Sequence, residues 1–486
     1  MLIEFLLKAI WGDFVMNIET YLWLQIQQHV ALFFSERAST YLKNKKPVFV
    51  PYDKATEIRD NVVVIPTNCT LPSVPDCVNK VPFNGTHLTF WNRIPMPTDS
   101  GWTAIPESNP VWYRHDSGTL IPTWNFFGNL IKLLTLHEET ANVTRDNHDR
   151  FLAAFSPRRE YGLLQIPAFN EAVALLVAAC SGLEETGQPY FTLKDLIRPP
   201  YVILSHDNDI LFGNDFWTQS ARLYRTFTPI LRLKPPRLKN LWWFGYNAIA
   251  PGRYYYDNIT GMIDLEQMCG FTSTFYFLNG GGGRFGARNG IRGLSSALLE
   301  IPTGWNTGIH YNYDTLLEPE LLDAQIEQLT SIMGHRPISG RAHYLRFDPA
   351  KSFRFLSSAG IICDETLGYP DSIGYRCGLG GIFRPFDVSS GEVLPIYEVP
   401  LIVMDSTLIE QYPENPVGAF EELLNHMTCI GGAISVLFHP GTFFNPEFPE
   451  AIGVYRKLLD TAKKMGAKGT SAYSLVQEAR KFERVD

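Results

Sequence analysis

The sequence predicts an α/β protein with two domains: an N-terminal α+β domain over residues 1–195 and a parallel sheet or barrel over residues 196–486. At 486 residues, the chain is too long for one ordinary hydrophobic core. Arg198-Pro199-Pro200 interrupts the helical periodicity, because a residue before proline is pushed out of the helical region. Beyond this point strand-like and helix-like runs alternate, which is typical of parallel strands connected by helices.

The predicted N-terminal domain changes character along its length. Residues 1–16 predict an amphipathic helix, because Glu4, Lys8 and Asp13 break the apolar run. No cleavage site follows this run, so neither a signal peptide nor a membrane span is expected. Helical spacing is then predicted over 17–45, strands and turns over 46–125, and helical periodicity again over 125–185.

In the predicted C-terminal domain, apolar runs of strand length alternate with amphipathic runs of helix length. Strands are predicted at 201–205, 270–278, 307–313, 360–367, 393–405 and 433–441, and helices at 319–334, 349–359 and 419–432. The glycine run 280–283 lacks the ending of a phosphate-binding loop, so we expect a flexible loop near the mouth of a cleft. Because chemistry in such folds lies at the carboxyl ends of the strands, polar residues after each strand are the candidates.

Charge and composition exclude some classes of partner. The net charge is −8 with no basic patch that stands out, which argues against nucleic acid. No segment reaches the roughly 18 unbroken apolar residues that a membrane span needs. The seven cysteines are scattered, odd in number and without a CxxC pair, and such spare thiols fit a reducing compartment better than a disulfide framework. Cys69 and Cys77 are nevertheless close enough in sequence for a small loop disulfide. We expect a cytoplasmic protein.

Two polar clusters follow predicted strands and could supply a base or metal ligands. The run 205–209, SHDND, places carboxylates two residues apart, which suits a base and a metal ligand as well as it suits a turn or helix cap. In 310–314, HYNYD, an imidazole and a carboxylate four residues apart share a face if the chain turns helical there. Taken alone, this second cluster favours a satisfied histidine beside a capping aspartate.

Three further candidates complete the series. Arg341 in GRAHYLRF could clamp a carboxylate through two hydrogen bonds, although alone it favours a basic surface loop. Asp364 ends the run GIICD. His439 closes ISVLFHPG, where a histidine is placed either to donate a proton or to be half-buried for structural reasons. All five groups fall at predicted strand ends in chain order, and this shared placement favours one common site.

In this order the motifs resemble those of the NodB-like polysaccharide deacetylase family, a carbohydrate esterase family 4 type. The resemblance covers roughly residues 200–440 and lies in LSHDND, GIHYNYD, GRAHYLRF, CDETLGYPDSIGYRCG and LFHPG. Upstream, residues 133–173 resemble the N-terminal domain that often precedes the catalytic domain in a subgroup linked to surface-polysaccharide gene clusters.

The resemblance implies a distorted parallel (β/α) barrel that holds one divalent metal, usually zinc, with manganese or magnesium as alternatives. The implied reaction removes an N-acetyl or related acyl group from an amino sugar of a surface polysaccharide or its precursor, so carbohydrate is the expected partner. An aspartate takes the proton of the attacking water, the metal and a backbone N–H stabilise the oxyanion, and a histidine protonates the leaving amine. Carried over by position, the catalytic residues are Asp207 as base, His439 as acid, Arg341 to orient Asp207 and Asp364 to orient His439, and the metal ligands are Asp209, His310 and Asp314.

Two departures from the family pattern leave other functions open. Asn208 stands where the family has its metal-binding aspartate, which shifts that role to Asp209. Asp314 stands where the family has a histidine, which makes the site harder and more favourable to Mn²⁺ or Mg²⁺. The alternatives are a catalytically silent domain that binds glycan and a metal-independent hydrolase of another C–N amide.

Core packing is favoured over glycan contact for four tryptophans of the predicted N-terminal domain, Trp91, Trp102, Trp112 and Trp124.

Overall fold

The computed structural model describes residues 17–69, 75–107, 109–182, 193–211, 216–236, 238–242, 245, 249, 256–280, 285–286, 291–443 and 450–483. The predicted helix over 1–16 and most of the glycine run 280–283 lie outside the described residues. Among the described helices, none combines the length and the apolar character that crossing a bilayer requires.

The N-terminal region mixes helices with small sheets. The helix Ala168–Cys180 is buried along its whole length, and its two polar side chains, Asn170 and Glu171, are hydrogen-bonded to Gly380 and His426. The small sheets are a parallel pair β1–β2, a hairpin β3–β4 and an antiparallel three-strand sheet β5–β6–β7. In chain order the elements are α1 (Ile18–Phe33), α2 (Glu36–Asn44), β1 (Val48–Val50), α3 (Tyr52–Ala55), β2 (Val64–Pro66), β3 (Asn79–Phe83), β4 (Thr86–Phe90), β5 (Trp102–Ile105), β6 (Trp112–His115), β7 (Leu120–Pro122), α4 (Phe126–Leu134), α5 (His137–Ala141) and α6 (Ala168–Cys180), with 3₁₀ turns at Ala153–Phe155, Pro157–Tyr161 and Leu193–Asp195.

The C-terminal region alternates strands and helices. Its strands are β8 (Tyr201–Asn208), β9 (Thr274–Leu278), β10 (Asn306–Tyr311), β11 (Ser339–Ala342), β12 (Cys363–Asp364), β13 (Phe386–Asp387), β14 (Glu392–Val393), β15 (Tyr397–Glu398), β16 (Val403–Met404), β17 (Ala433–Leu437) and β18 (Lys468–Thr470). Its α-helices are α7 (Phe216–Phe227), α8 (Gly261–Cys269), α9 (Ile291–Leu299), α10 (Leu321–Met333), α11 (Pro349–Ser358), α12 (Asp405–Gln411), α13 (Pro416–Ile430), α14 (Ala451–Lys464) and α15 (Ala472–Glu483). Shorter helical turns are Thr228–Arg232, Leu238–Leu241, Tyr256–Thr260, Tyr313–Leu316, His343–Leu345 and Pro440–Thr442.

One parallel sheet dominates this region, in the order β15-β12-β11-β10-β9-β8-β17-β16, with β18 beside β8. Four residues, 399–402, connect its two edge strands, so Glu398 and Val403 lie within about 18 Å of each other. A flat sheet of eight strands would separate its edges by about 33 Å. The sheet therefore curls until its edges nearly meet, which confirms the predicted distorted parallel barrel behind an N-terminal α+β region.

Two predicted elements are divided in the structure, one by prolines and the other by a turn of the backbone. The predicted strand 393–405 is three short strands, because Pro395 and Pro400 cannot donate to a strand ladder. The predicted helix 17–45 is two helices, because the chain turns out of the helical conformation at Phe34. There the N–H of Ser35 donates to the carbonyl of Leu196, 2.7 Å away.

Side chains of both regions share one hydrophobic core, which includes Phe33 and Phe169 together with Val202 and Ile434 of the parallel sheet. The boundary near residue 195 remains a prediction. All seven cysteines are free thiols, so Cys69 and Cys77 form no disulfide. The four tryptophans considered for glycan contact are buried, which favours the packing role: Trp91, Trp102, Trp112 and Trp124.

One buried ion pair and one buried guanidinium also join the regions. The guanidinium of Arg376 donates to both carboxylate oxygens of Glu139, at 2.6 and 2.5 Å. The guanidinium of Arg158 pairs with Glu138 at 2.7 Å and also donates to the carbonyls of Tyr375 and Arg376. The N-terminal region thus holds the segment that follows β12.

We expect Glu139→Gln to lower the free energy of unfolding by about 3 kcal/mol or more, because it leaves the Arg376 charge buried without its partner. Chemical denaturation followed by circular dichroism measures this. The matched control is Asp99→Asn, which removes the exposed Arg59–Asp99 pair and should cost no more than about 1 kcal/mol. Equal losses in the two variants would contradict a dominant role for the buried pair.

Candidate active site at the carboxyl ends of the strands

The predicted site residues come together because parallel strands end at the same edge of the curled sheet. Asp207 lies near the end of β8, and His310 and Arg341 lie opposite each other in the register of β10 and β11. His439 follows β17. With Asp209 they line one open cavity of about 430 Å³, except for Arg341, which lies beneath it.

Asp207 is held by the buried guanidinium of Arg341, as the sequence resemblance implies for this pair. Arg341 Nη1 donates to Asp207 Oδ1 at 2.8 Å, and Nη2 donates to Ser205 Oγ at 2.7 Å. Its Nε donates to the carbonyl of Glu365 at 2.8 Å, and Nη2 lies 3.1 Å from Glu365 Oε2. The ring of Tyr276 packs against the same guanidinium, and its hydroxyl donates to Glu365. Asp207 Oδ2 therefore faces the cavity side of the pair.

The charges around Asp207 keep it ionised. Burial opposes ionisation, but Arg341 and then His310 outweigh burial and hold the pKa of Asp207 below its usual value. Glu365 differs, since burial outweighs Arg341 and raises the pKa of the Glu365 carboxyl. Of the two carboxyl groups that contact Arg341, Asp207, which lies beside the cavity, is therefore ionised more readily than Glu365.

Asp209, His310 and His343 form a group whose potential ligand atoms all lie within 4.8 Å of one another. His310 Nδ1 donates to the carbonyl of Arg341 at 2.9 Å, which leaves Nε2 directed at Asp209 Oδ1, 3.2 Å away. His343 Nε2 lies 3.6 Å from the same oxygen. Nδ1 of His343 is buried and has no hydrogen-bond partner among the described residues. Two imidazoles and one carboxylate are a common ligand set of catalytic zinc sites.

The protonation states of His343 and Asp209 suit metal binding, whereas burial is outweighed by Asp207 and Asp209 at His310, whose pKa is raised. Burial lowers the pKa of His343 to about 4, so its imidazole is neutral near pH 7. Burial opposes ionisation of Asp209, but His343 and His310 outweigh it and hold the pKa of that carboxyl below its usual value. Asn208, the departure in the first motif, turns its amide to the carbonyl of Tyr276 at 3.0 Å. This orientation accords with giving the ligand role to Asp209.

Asp314 does not join this group among the described residues. The chain enters a 3₁₀ turn at Tyr313, and the carbonyl of Asp314 accepts from the N–H groups of Leu317 and Glu318. The spacing argument assumed that Asp314 would share a face with His310. Here His343 takes the position expected for Asp314. The sequence could have indicated His343 by its position two residues after Arg341, at the end of the same strand.

His439 pairs with Asp405 rather than with Asp364. His439 Nδ1 donates to Asp405 Oδ1 at 2.9 Å, and the backbone N–H of His439 donates to Asp405 Oδ2 at 2.8 Å. The Asp364 carboxylate instead accepts from the hydroxyl of Thr366 at 2.9 Å. Asp405 begins α12 directly after β16, so its signal was again a carboxylate at a strand end.

The carboxylates around His439 favour its charged form. Burial would lower its pKa, but Asp405, followed by Asp207 and Asp209, raises the pKa of His439 to about 10.

Asp364 lies beside Glu398, its register partner on β15. Burial and the charge of Asp364 raise the pKa of Glu398 well above its usual value, so these two carboxyls share a proton below the site.

The comparisons with known proteins place this chain beside deacetylases and other enzymes. No family model matches the chain, and no curated protein matches it. Among solved structures it is similar to a Mycobacterium smegmatis protein classed as a polysaccharide deacetylase, with 16% identity, 60% of this chain and 92% of that chain covered, and a TM-score of 0.39. It is also similar to the peptidoglycan deacetylase PdaC from Bacillus subtilis, with 11% identity, 59% of this chain and 94% of that chain covered, and a TM-score of 0.29. A third similar structure is the Puue allantoinase, with 13% identity, 59% of this chain and 90% of that chain covered, and a TM-score of 0.37. Because these TM-scores are below 0.5, the similarities support no assignment of function.

We expect Asp405→Asn to lower the pKa of His439 by at least about one unit, because the amide removes the nearest negative charge. The imidazole signals of the metal-free protein, followed by NMR across pH, measure this. Asp364→Asn is the matched control and should leave the pKa of His439 near its original value. The reverse pattern would restore Asp364 as the partner of His439.

Proposed function

We propose that this chain is a metal-dependent hydrolase that removes an N-acetyl or related acyl group from an amino sugar of a surface polysaccharide or its precursor. The observation that carries the proposal is one cavity in which an ionised carboxylate, Asp207, and a protonated imidazole, His439, flank the group Asp209–His310–His343. Two titratable groups whose environments push their pKa values apart are the arrangement that acid–base chemistry on one bond requires. The motif resemblance supports the same reaction class.

Asp209, His310 and His343 would hold the divalent cation. The fit rests on their donor types and on the Nε2 atoms of His310 and His343, which both lie close to Asp209 Oδ1, at 3.2 and 3.6 Å. Two nitrogen donors and one oxygen donor favour zinc, while Mn²⁺ is a further candidate. When bound, the cation would supply Lewis-acid polarisation of the acyl carbonyl.

Asp207 would act as the base. Arg341 engages Oδ1, so Oδ2 is the atom that accepts the proton of the attacking water. His310 Nε2 lies 3.7 Å from Oδ2, which places the candidate cation site beside the proton acceptor. Arg341 orients Asp207 and keeps it charged, and Glu365 orients Arg341 from below.

His439 would act as the acid. Its Nδ1 donates to Asp405, so Nε2 carries the proton that passes to the leaving amine. A pKa of about 10 keeps this proton in place at neutral pH before the C–N bond breaks. The backbone bond from the N–H of His439 to Asp405 fixes the ring in this orientation.

Two alternatives remain distinguishable from this proposal. Asn208 and Asp314 motivate a silent glycan-binding domain, whereas Asp209 and His343 support the metal-binding proposal because they offer donors in place of those two positions. A metal-independent amide hydrolase would use Asp207 and His439 with no need of that group. Activity that survives chelation would favour the latter, and glycan binding without turnover or metal would favour the former.

We expect His343→Ala to weaken binding of Zn²⁺ by more than about 100-fold, beyond the usual effect of losing an outer partner of a ligand. Asp314→Ala is the matched control and should keep the affinity of the parent chain. Elemental mass spectrometry and calorimetry on metal-stripped protein measure both. Loss of binding in the Asp314 variant alone would return that residue to the ligand set.

We expect Asp207→Asn to lower acetate release from an N-acetylglucosamine oligosaccharide by at least about 100-fold, because the amide cannot accept the proton of the attacking water. Asp314→Asn, which removes a carboxylate outside the cavity, should keep the rate. Circular dichroism checks that both variants fold. An unchanged rate in folded Asp207→Asn protein would overturn the role of Asp207.

A further inference from the structure

The segment between β8 and β9 has an unusual composition. Residues 216–256, here called the basic insertion, contain seven Lys or Arg and no Asp or Glu. The whole chain carries −8, so with +7 in the insertion the rest carries −15. Tryptophan, tyrosine and phenylalanine are frequent in the same segment. The sequence therefore concentrates positive charge and aromatic side chains in one stretch of an acidic chain.

Helix α7, which begins the basic insertion, exposes its apolar side chains. Phe216, Leu223 and Phe227 are separated by seven and four residues, which places them on one face of a helix. They are 76%, 40% and 44% exposed, and Tyr224 beside them is 69% exposed. A helix in a globular protein ordinarily turns such a face into the core. Here that face is at the surface.

The exposed apolar surface continues beyond α7. Leu231 and Leu233 are 81% and 99% exposed, and Trp242 is 53% exposed. Arg225 and Lys234 are exposed among these side chains. Aliphatic, aromatic and cationic side chains are therefore interspersed on the described part of the insertion, whereas contiguous exposed apolar patches are rare on monomeric proteins and mark contact sites.

We propose that the described part of the basic insertion, from α7 to Trp242, docks on the surface of an anionic lipid bilayer. Cations attract the anionic headgroups, tryptophan and tyrosine suit the interface, and leucine and phenylalanine enter the acyl boundary. The remaining residues carry a net charge of −15, so the insertion contrasts in charge with the rest of the chain and suits the anionic surface better. An apolar protein partner would account for the leucines but not for seven cations without an acid.

The docked surface adjoins the cavity of the candidate active site. Arg225 of α7 lines that cavity together with His439 and Asp209. Docking through α7 would hold the cavity close to the headgroups, where a lipid-attached saccharide would present its sugars. The membrane contact itself does not depend on the proposed hydrolysis, because binding and acetate release are measured separately.

The test is co-sedimentation of the full chain with vesicles of phosphatidylcholine containing about one third phosphatidylglycerol. We expect binding that weakens at least about tenfold on phosphatidylcholine alone or in high salt. Leu231→Ser/Leu233→Ser should lower partitioning about tenfold or more, and Arg222→Gln/Lys234→Gln should do the same.

Two matched double variants serve as controls. Leu299→Ser/Leu317→Ser changes leucines that are 86% and 69% exposed elsewhere, and Arg456→Gln/Lys457→Gln neutralises two exposed cations on α14. Both should bind vesicles as the parent chain does. No binding to the anionic vesicles, or equal losses in the controls, would overturn the proposal. Self-association that Leu231→Ser/Leu233→Ser abolishes, without vesicle binding, would also overturn it and assign the surface to a second copy.

Discussion

The buried guanidinium of Arg341 is the interaction on which the rest of the site depends. A buried positive charge is tolerated only when its donors meet acceptors of suitable geometry. Arg341 meets Asp207, Ser205 and Glu365, which lie at the ends of β8 and β12 on either side of its own strand position. The same side chain therefore fixes the relative positions of three strand ends and the charge of Asp207.

Asp207 and His439 carry opposite charges because each pairs with a different buried side chain. A guanidinium stabilises the carboxylate at one wall, and Asp405 stabilises the imidazolium at the other. Burial opposes both charges, so each persists only because its partner outweighs the loss of hydration. The group Asp209–His310–His343 lies within the same cavity. The proposed base, the proposed acid and the candidate ligand group thus differ in charge because they have different partners.

The sequence was informative where local pattern sets the structure. Apolar runs located the strands, and polar residues after them located Asp207, His310, Arg341 and His439 at one edge. The pattern failed where the partner is set by long-range packing. Nothing local distinguishes Asp405 from Asp364 as the partner of His439, because the choice depends on how β16 and β12 lie in the curled sheet. Similarly, helical spacing predicted that Asp314 lies on the same face as His310, but the chain forms a 3₁₀ turn there. His343 belongs to the candidate ligand group instead.

The position of His343 depends on strained backbone and on support from the N-terminal region. Tyr344 and Leu345 have φ of 63° and 53°, in a region that residues other than glycine rarely adopt. Such strain persists only when surrounding contacts over-determine the conformation. Arg346 pairs with Asp149 at 2.5 Å, and Arg150 donates to the carbonyl of Tyr344 at 3.2 Å. Because these contacts come from residues before 195, the N-terminal region helps to shape the turn that carries His343 and thereby supports the candidate ligand group of the barrel.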